Sequence, residues 1–92
     1  MRVAKVIGNI WATRKEARLS GLKLLVVKPL NVLDENADLP PLVAADMIGA
    51  GEGETVLVVS GSSARSAVGN MDIPVDATVV GIVDADWEIT NI

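Results

Sequence analysis

Apolar residues in this chain come as short runs of Val, Ile and Leu broken by Gly, Pro or Asn, and they almost nowhere recur at the spacing of a helix face. That pattern confines the fold to β-structure. A long first strand is expected over residues 2–13, with Gly8 in its middle, where a missing side chain permits the bend or bulge of a barrel corner. The run LKLLVVKPL (22–30) follows a turn at Ser20 and Gly21 as a second strand, and Pro29, which has no N–H to give to a ladder, belongs at its end or on an edge. Residues 31–41, NVLDENADLPP, are polar, acidic and closed by two prolines, as suits an exposed loop. A shorter strand over 42–47 leads into a glycine loop over 49–53, and ETVLVVSG (54–61) reads as a central strand buried on both faces. SSARSA (62–67) makes one helical turn with Ser62 or Ser63 as its N-cap. A loop over 68–74, a last strand over 78–86 and a short tail over 87–92 complete the chain. About five strands and one short helical turn describe an all-β fold, a small OB-like five-stranded closed barrel occupying residues 1–92 as a single domain.

A barrel of this size has more grease than it can hide. Half of the 92 residues are hydrophobic, whereas so small a domain buries only about 60–70% of the surface its unfolded chain exposes. The surplus points to self-association or to docking into something larger. Net charge is −4, which repels polyphosphate and supplies no basic field for nucleic acid. The only aromatic residues are Trp11 and Trp87, too few for the stacking platforms that single-stranded nucleic acid uses on such barrels. Nucleic acid is therefore not an expected partner. Cysteine is absent, which removes disulfides, thiolate metal sites and thiol nucleophiles and fits the cytoplasm. Arg2 and Lys5 precede no unbroken apolar segment, and no apolar run approaches membrane-spanning length, so neither a secretory leader nor a membrane partner is expected.

Three motifs invite a chemical reading. In GAGEGETVLVVSG the glycines at 49, 51 and 53 lead into a strand instead of a helix, with Glu52 and Glu54 alongside; a dinucleotide or phosphate site needs a helix N-terminus there and no added negative charge. A tight loop at a barrel end or subunit contact explains them better, with Gly51 in a backbone conformation closed to other residues. Ser20-Gly21-Leu22-Lys23 spells S-x-x-K, but the further motifs and larger fold of the enzymes that use it are missing. Asp84, Asp86 and Glu88 imitate the start of a calcium loop, yet Ile89 stands where glycine is required. Histidine is absent, which removes the commonest general base. Asp46, Asp76 and Asp84 have no evident partner in sequence and read as carboxylates that stabilise strand ends or turns. No catalytic residue, metal or cofactor is expected. From the residues alone three classes stay open, a self-assembling structural barrel, an OB-type module that binds a ligand or single-stranded nucleic acid, and a small enzyme that works through a carboxylate such as Asp46 or Asp84.

Three segments, VIGNIWATRKEARLSGLKLLVVKPL, DMIGAGEGETVLVVSGSSAR and PVDATVVGIVD, together resemble the vertex proteins of bacterial microcompartments, the CcmL/EutN family of carboxysome and ethanolamine-utilisation shells. The likeness spans almost the whole chain, with Met47 and Ser63 as modest departures. It implies a non-enzymatic structural protein, an OB-like barrel assembling into a pentameric ring that closes the corners of a polyhedral shell in the cytoplasm. Its partners would be four further copies of itself and the hexameric shell proteins. By the same resemblance, Gly49, Gly51, Gly61, Ser62, Ser63, Ala64 and Arg65 are candidates for the axial pore or the subunit contact. Arg65 is the foremost of these for a bond to a neighbouring carboxylate or carbonyl, an exposed arginine on a helical turn being the alternative. Thr13, Arg14 and Lys15 are candidates for contact with neighbouring shell tiles, or are simply solvated charges after a strand.

Overall fold

The computed structural model describes residues 1–11, 15, 17–34 and 36–84. Five strands appear in it, β1 (Arg2–Ile10), β2 (Lys23–Pro29), β3 (Leu42–Asp46), β4 (Thr55–Ser60) and β5 (Ala77–Val83), with a helix α1 (Gly61–Ala67) between the last two. A single 3₁₀ turn, Ala17–Leu19, precedes β2. The strands close into a barrel in the order β1-β2-β3-β5-β4, with β4 returning to β1. All neighbours run antiparallel except β3 and β5, which meet in parallel over a short stretch, Ala45 beside Thr78 and Asp46 beside Val79. Closure removes the exposed edges that a short sheet would otherwise present.

Why these residues make a barrel is visible in their alternation. Along β2 every second residue from Leu25 to Pro29 is buried, and along β4 Val56 and Val58 point inward while Thr55, Leu57 and Val59 are only half-covered. The core consists of aliphatic and small side chains, chiefly Val6, Leu25, Val27, Val56, Val58 and Val79 with Ala4, Ala44, Ala50 and Ala77. Small residues let the walls of a narrow barrel meet in the middle without voids. The expectation that β4 is buried on both faces is corrected: the wall is one layer thick, so a single face of the strand reaches the core.

The bend anticipated at Gly8 is a β-bulge. Val6 pairs with Val27 and Gly8 with Val26, so Ile7 and Gly8 together oppose one residue of β2. Pro29 ends β2, as its missing N–H requires. The described residues between 31 and 41 form no strand, and short turns there are held by Asn31 Oδ1 accepting from the Leu33 N–H and Asp34 Oδ1 from the Asn36 N–H. The expected continuation of β1 over 12–13 and of the last strand over 85–86, like the tail over 87–92, lies outside the described residues.

The helix differs from expectation at its start. It begins at Gly61, with Ser60 as N-cap and no side-chain capping bond, so neither Ser62 nor Ser63 caps it. The cause is Gly61 itself, whose φ of 62° turns β4 directly into the helix while its N–H donates to the Asp76 carbonyl at 3.0 Å. Further on, Thr78 Oγ1 donates to the Ala64 carbonyl at 2.9 Å, which fastens the helix to β5.

Candidate assembly surface

β3 ends in Asp46, and the chain folds back over that carboxylate. Its Oδ1 accepts the Ile48 and Gly49 N–H groups at 3.0 and 3.1 Å, and its Oδ2 accepts the Ala50 N–H at 2.9 Å. The Asp46 side chain is wholly enclosed, and Lys23 Nζ stands 3.6 Å from Oδ2. The same ammonium donates to the Ala50 carbonyl at 3.0 Å. One buried charge, its counter-ion and three backbone donors thus define a rigid corner at residues 46–50.

The rest of the glycine loop is bonded just as fully. Gly51 N–H donates to Glu54 Oε1 at 2.6 Å. Gly53 N–H reaches the Val6 carbonyl, Glu54 N–H the Gly51 carbonyl and Met47 N–H the Val79 carbonyl. A phosphate cradle works by aiming free backbone N–H groups at an anion. Here those groups already serve Asp46 and Glu54, and the loop has the structural role that its glutamates implied. Left-handed backbone falls at Gly49 (φ 90°) and Gly53 (φ 87°). Gly51 lies outside that region, and a Cβ there would meet only Glu54 Oε1, at 3.4 Å, which corrects the expectation that Gly51 needs a special conformation.

With Ala50 in the core, the corner turns Met47 and Ile48 outward, 46% and 47% exposed. Sequence reasoning placed neither at the surface. The signal available was an aspartate two to four residues ahead of backbone donors in a glycine loop, the signature of a side chain that caps a turn. The S-x-x-K match also dissolves, because Lys23 is engaged with Ala50 and Asp46.

The second candidate group lies on the other flank of β5. Gly61, Ser62 and Ser63 are exposed and Arg65 is half-buried. Ala64 is 0% exposed and packs inward, within its own subunit. Beside the helix runs an open groove of about 470 Å³, with Val59 and Val80 at its floor, Ser62, Ser63, Ser66 and Ala67 along the helix, and Met71 beyond. No charged side chain lines it. Because β5 sits between β3 and β4 in the barrel, the loop after β3 and the helix after β4 are not brought together within one subunit.

Of the three tile-contact candidates, Thr13 and Arg14 lie outside the described residues. Lys15 is exposed, its Nζ 5.7 Å from the centroid of the Trp11 ring, which is itself 88% exposed. Asp84 directly follows β5, while Asp86 and Glu88 fall outside the described residues. Among the described residues, no cluster of acidic side chains could hold a metal, and every buried side-chain nitrogen or oxygen has a hydrogen-bond partner.

Comparison with known proteins places this geometry among shell components. The sequence model of the family described as ethanolamine utilisation protein EutN/carboxysome matches residues 1–84. The carboxysome shell vertex protein CcmL of Thermosynechococcus vestitus is 45% identical over 86 residues, covering 91% of this chain and 84% of the other. The microcompartment shell vertex protein GrpN of Rhodospirillum rubrum is 46% identical over 87 residues, covering 91% and 93%. Among solved structures, an ethanolamine utilization protein EutN superposes with a TM-score of 0.83 at 48% identity, over 91% of this chain and 86% of that one. The pentameric microcompartment shell protein GrpN from R. rubrum superposes with a TM-score of 0.81 at 44% identity, over 97% and 100%.

Proposed function

The chain belongs to the EutN/CcmL family, and from that premise we propose that it is a shell vertex protein, five copies of which close a corner of a bacterial microcompartment. The observation that carries this is the match, nearly end to end on both chains, to a shell protein solved as a pentamer. The physical logic agrees. Flat hexagonal tiles cannot close a cage without pentagons, and a head-to-tail contact that closes on itself supplies one. Such a ring uses two different surfaces per subunit, which accounts for apolar side chains that one barrel leaves in water.

Within that function, the loop carrying Gly49 and Gly51 and the segment carrying Gly61, Ser62, Ser63 and Arg65 form the ring contact or border its axis. Support comes from their position on either flank of β5 and from the Arg65 guanidinium, which makes no hydrogen bond or ion pair to the described residues of its own subunit. Thr13, Arg14 and Lys15 face the hexameric tiles, and the exposure of Lys15 and Trp11 supports this. The role is structural, not catalytic. Histidine and cysteine are absent, and the one buried carboxylate among the described residues is spent on backbone donors. A net charge of −4 and the pairing of Arg18, Lys23 and Lys28 with acceptors of their own subunit speak against nucleic acid as a partner.

Native mass spectrometry of the purified chain, alone and coexpressed with shell hexamers, tests the proposal. A pentamer is expected. A monomer or dimer in both settings refutes it.

A further inference from the structure

We propose that the Met47–Ile48 corner of one subunit seats in the groove beside α1 of its ring neighbour, an assignment that rests on the pentameric reading above. Chemistry of the two surfaces makes the match. The corner offers two adjacent aliphatic side chains, each nearly half exposed, and the groove has an aliphatic floor, a serine wall and no charge. Either surface alone is a liability in water, and covering both is favourable in proportion to the apolar area removed.

Rigidity favours the same pairing. The Ile48, Gly49 and Ala50 N–H groups are held by Asp46 in the isolated subunit. Docking therefore orders little backbone, and it strands none of those donors when water leaves. A flexible loop with free amides would lose on both counts.

Position supplies the closure. On one subunit the corner and the groove are different surfaces on opposite sides of β5, so their union is head-to-tail. They also lie at one level along that strand, since Asp46 pairs with Val79 and the next residue, Val80, lies in the groove floor. A head-to-tail contact made without a rise closes as a ring instead of growing as a filament.

The absence of native cysteine makes the test clean. Ile48→Cys and Ser66→Cys, combined in one chain and treated with a short bismaleimide, should give a covalent ladder extending to five subunits on a denaturing gel. Each single variant alone should stop at dimers or below, and a mixture of the two should cross-link as a heterodimer. A control pairing Asp38→Cys with Ser66→Cys should give no ladder. In parallel, Ile48→Asp and Ala67→Asp should keep the barrel's circular dichroism and raise the concentration of half-dissociation about tenfold or more, as loss of a central contact does. An intact pentamer that yields no ladder, or that tolerates both aspartates, overturns this interface while leaving the vertex function standing. Absence of a pentamer from the unmodified protein instead overturns the reading on which it rests.

Discussion

Lys23 and Asp46 are register partners across the β2–β3 ladder, and their side chains meet at the mouth of the barrel with Nζ 3.6 Å from Oδ2. The pair is asymmetric. Asp46 is enclosed and spends its lone pairs on the backbone of residues 48–50, while the half-exposed Lys23 closes the arrangement by donating to the Ala50 carbonyl. A carboxylate with no partner visible in sequence is thus the organiser of the glycine loop after β3.

Replacing Asp46 by Ala should destabilise the subunit by about 2–3 kcal/mol, because the buried Ala50 N–H and its two neighbours lose their acceptor together. Lys23→Met should cost about 1 kcal/mol, since its ammonium is half in water and water can replace part of the bond. Urea midpoints measured at one fixed protein concentration check both, because assembly itself shifts apparent stability. Equal losses for the two variants would contradict the asymmetry.

Thr78→Val removes one hydroxyl at constant shape from a 0% exposed position. The Ala64 carbonyl keeps the Val68 N–H at 3.3 Å but loses its tie to β5. A loss of about 1 kcal/mol is expected, with faster amide exchange across residues 61–67 than across the strands. Unchanged exchange in the helix would show that this hydroxyl does not fasten it.

The glycines divide by conformation. Gly49→Ala and Gly53→Ala force a side chain into left-handed backbone, φ 90° and 87°, and each should cost about 1–2 kcal/mol. Gly51→Ala, with an ordinary φ and only a flexible glutamate end at 3.4 Å, should cost less than either. Thermal melts of the three variants decide the matter, and a loss at Gly51 as large as at Gly49 would reverse it.

How much of this the chain discloses depends on where each partner sits. Strands β1 to β5 are legible because their signals are local: β-branched runs, a glycine where β1 bulges and a proline where β2 stops. The burial of β4 is not legible, since an unbroken apolar run reads alike whether a second layer covers it or only one face meets a core. Adjacent serines at 62 and 63 imitate a helix cap, but Gly61 starts the helix sooner by taking a backbone angle that no pattern of side chains announces. Asp46 is legible only in part. An aspartate at a strand end ahead of a glycine loop reads as a turn-stabilising carboxylate, and it is one, but its counter-ion arrives from another strand and leaves no trace in composition or periodicity. The exposure of Met47 and Ile48 follows from how that turn closes, which local pattern does not specify.

Asp38 gives a pH-dependent test away from the proposed contact. Lys28 Nζ lies 2.7 Å from its Oδ1 and holds the carboxyl below the usual carboxylate range, first by the hydrogen bond and then by charge. A folded pKa below the unfolded one means that the pair's contribution is fully present above the unfolded value, about 4, and is lost as pH falls through the lower folded value. Carboxyl-detected NMR should show the Asp38 midpoint rising in Lys28→Met, and rising in the parent protein at high salt as the exposed pair is screened. A midpoint indifferent to both would remove the pair.

Arg65 carries the most direct prediction about the ring. Its backbone carbonyl accepts the Asn70 N–H at 3.3 Å, but its guanidinium has no acceptor among the described residues of its own subunit. Its nitrogens stay within reach of water in the lone subunit, so they can take acceptors from a neighbour without breaking a bond of their own, and a planar fork is suited to take two at once. Arg65→Ala should therefore raise the concentration of half-dissociation by about tenfold or more, followed by native mass spectrometry across a dilution series. Lys5→Ala, an exposed cation on β1, should leave that concentration within about twofold. Equal dissociation of the two variants would place Arg65 in solvent in the assembled ring and return α1 to a role within the single subunit.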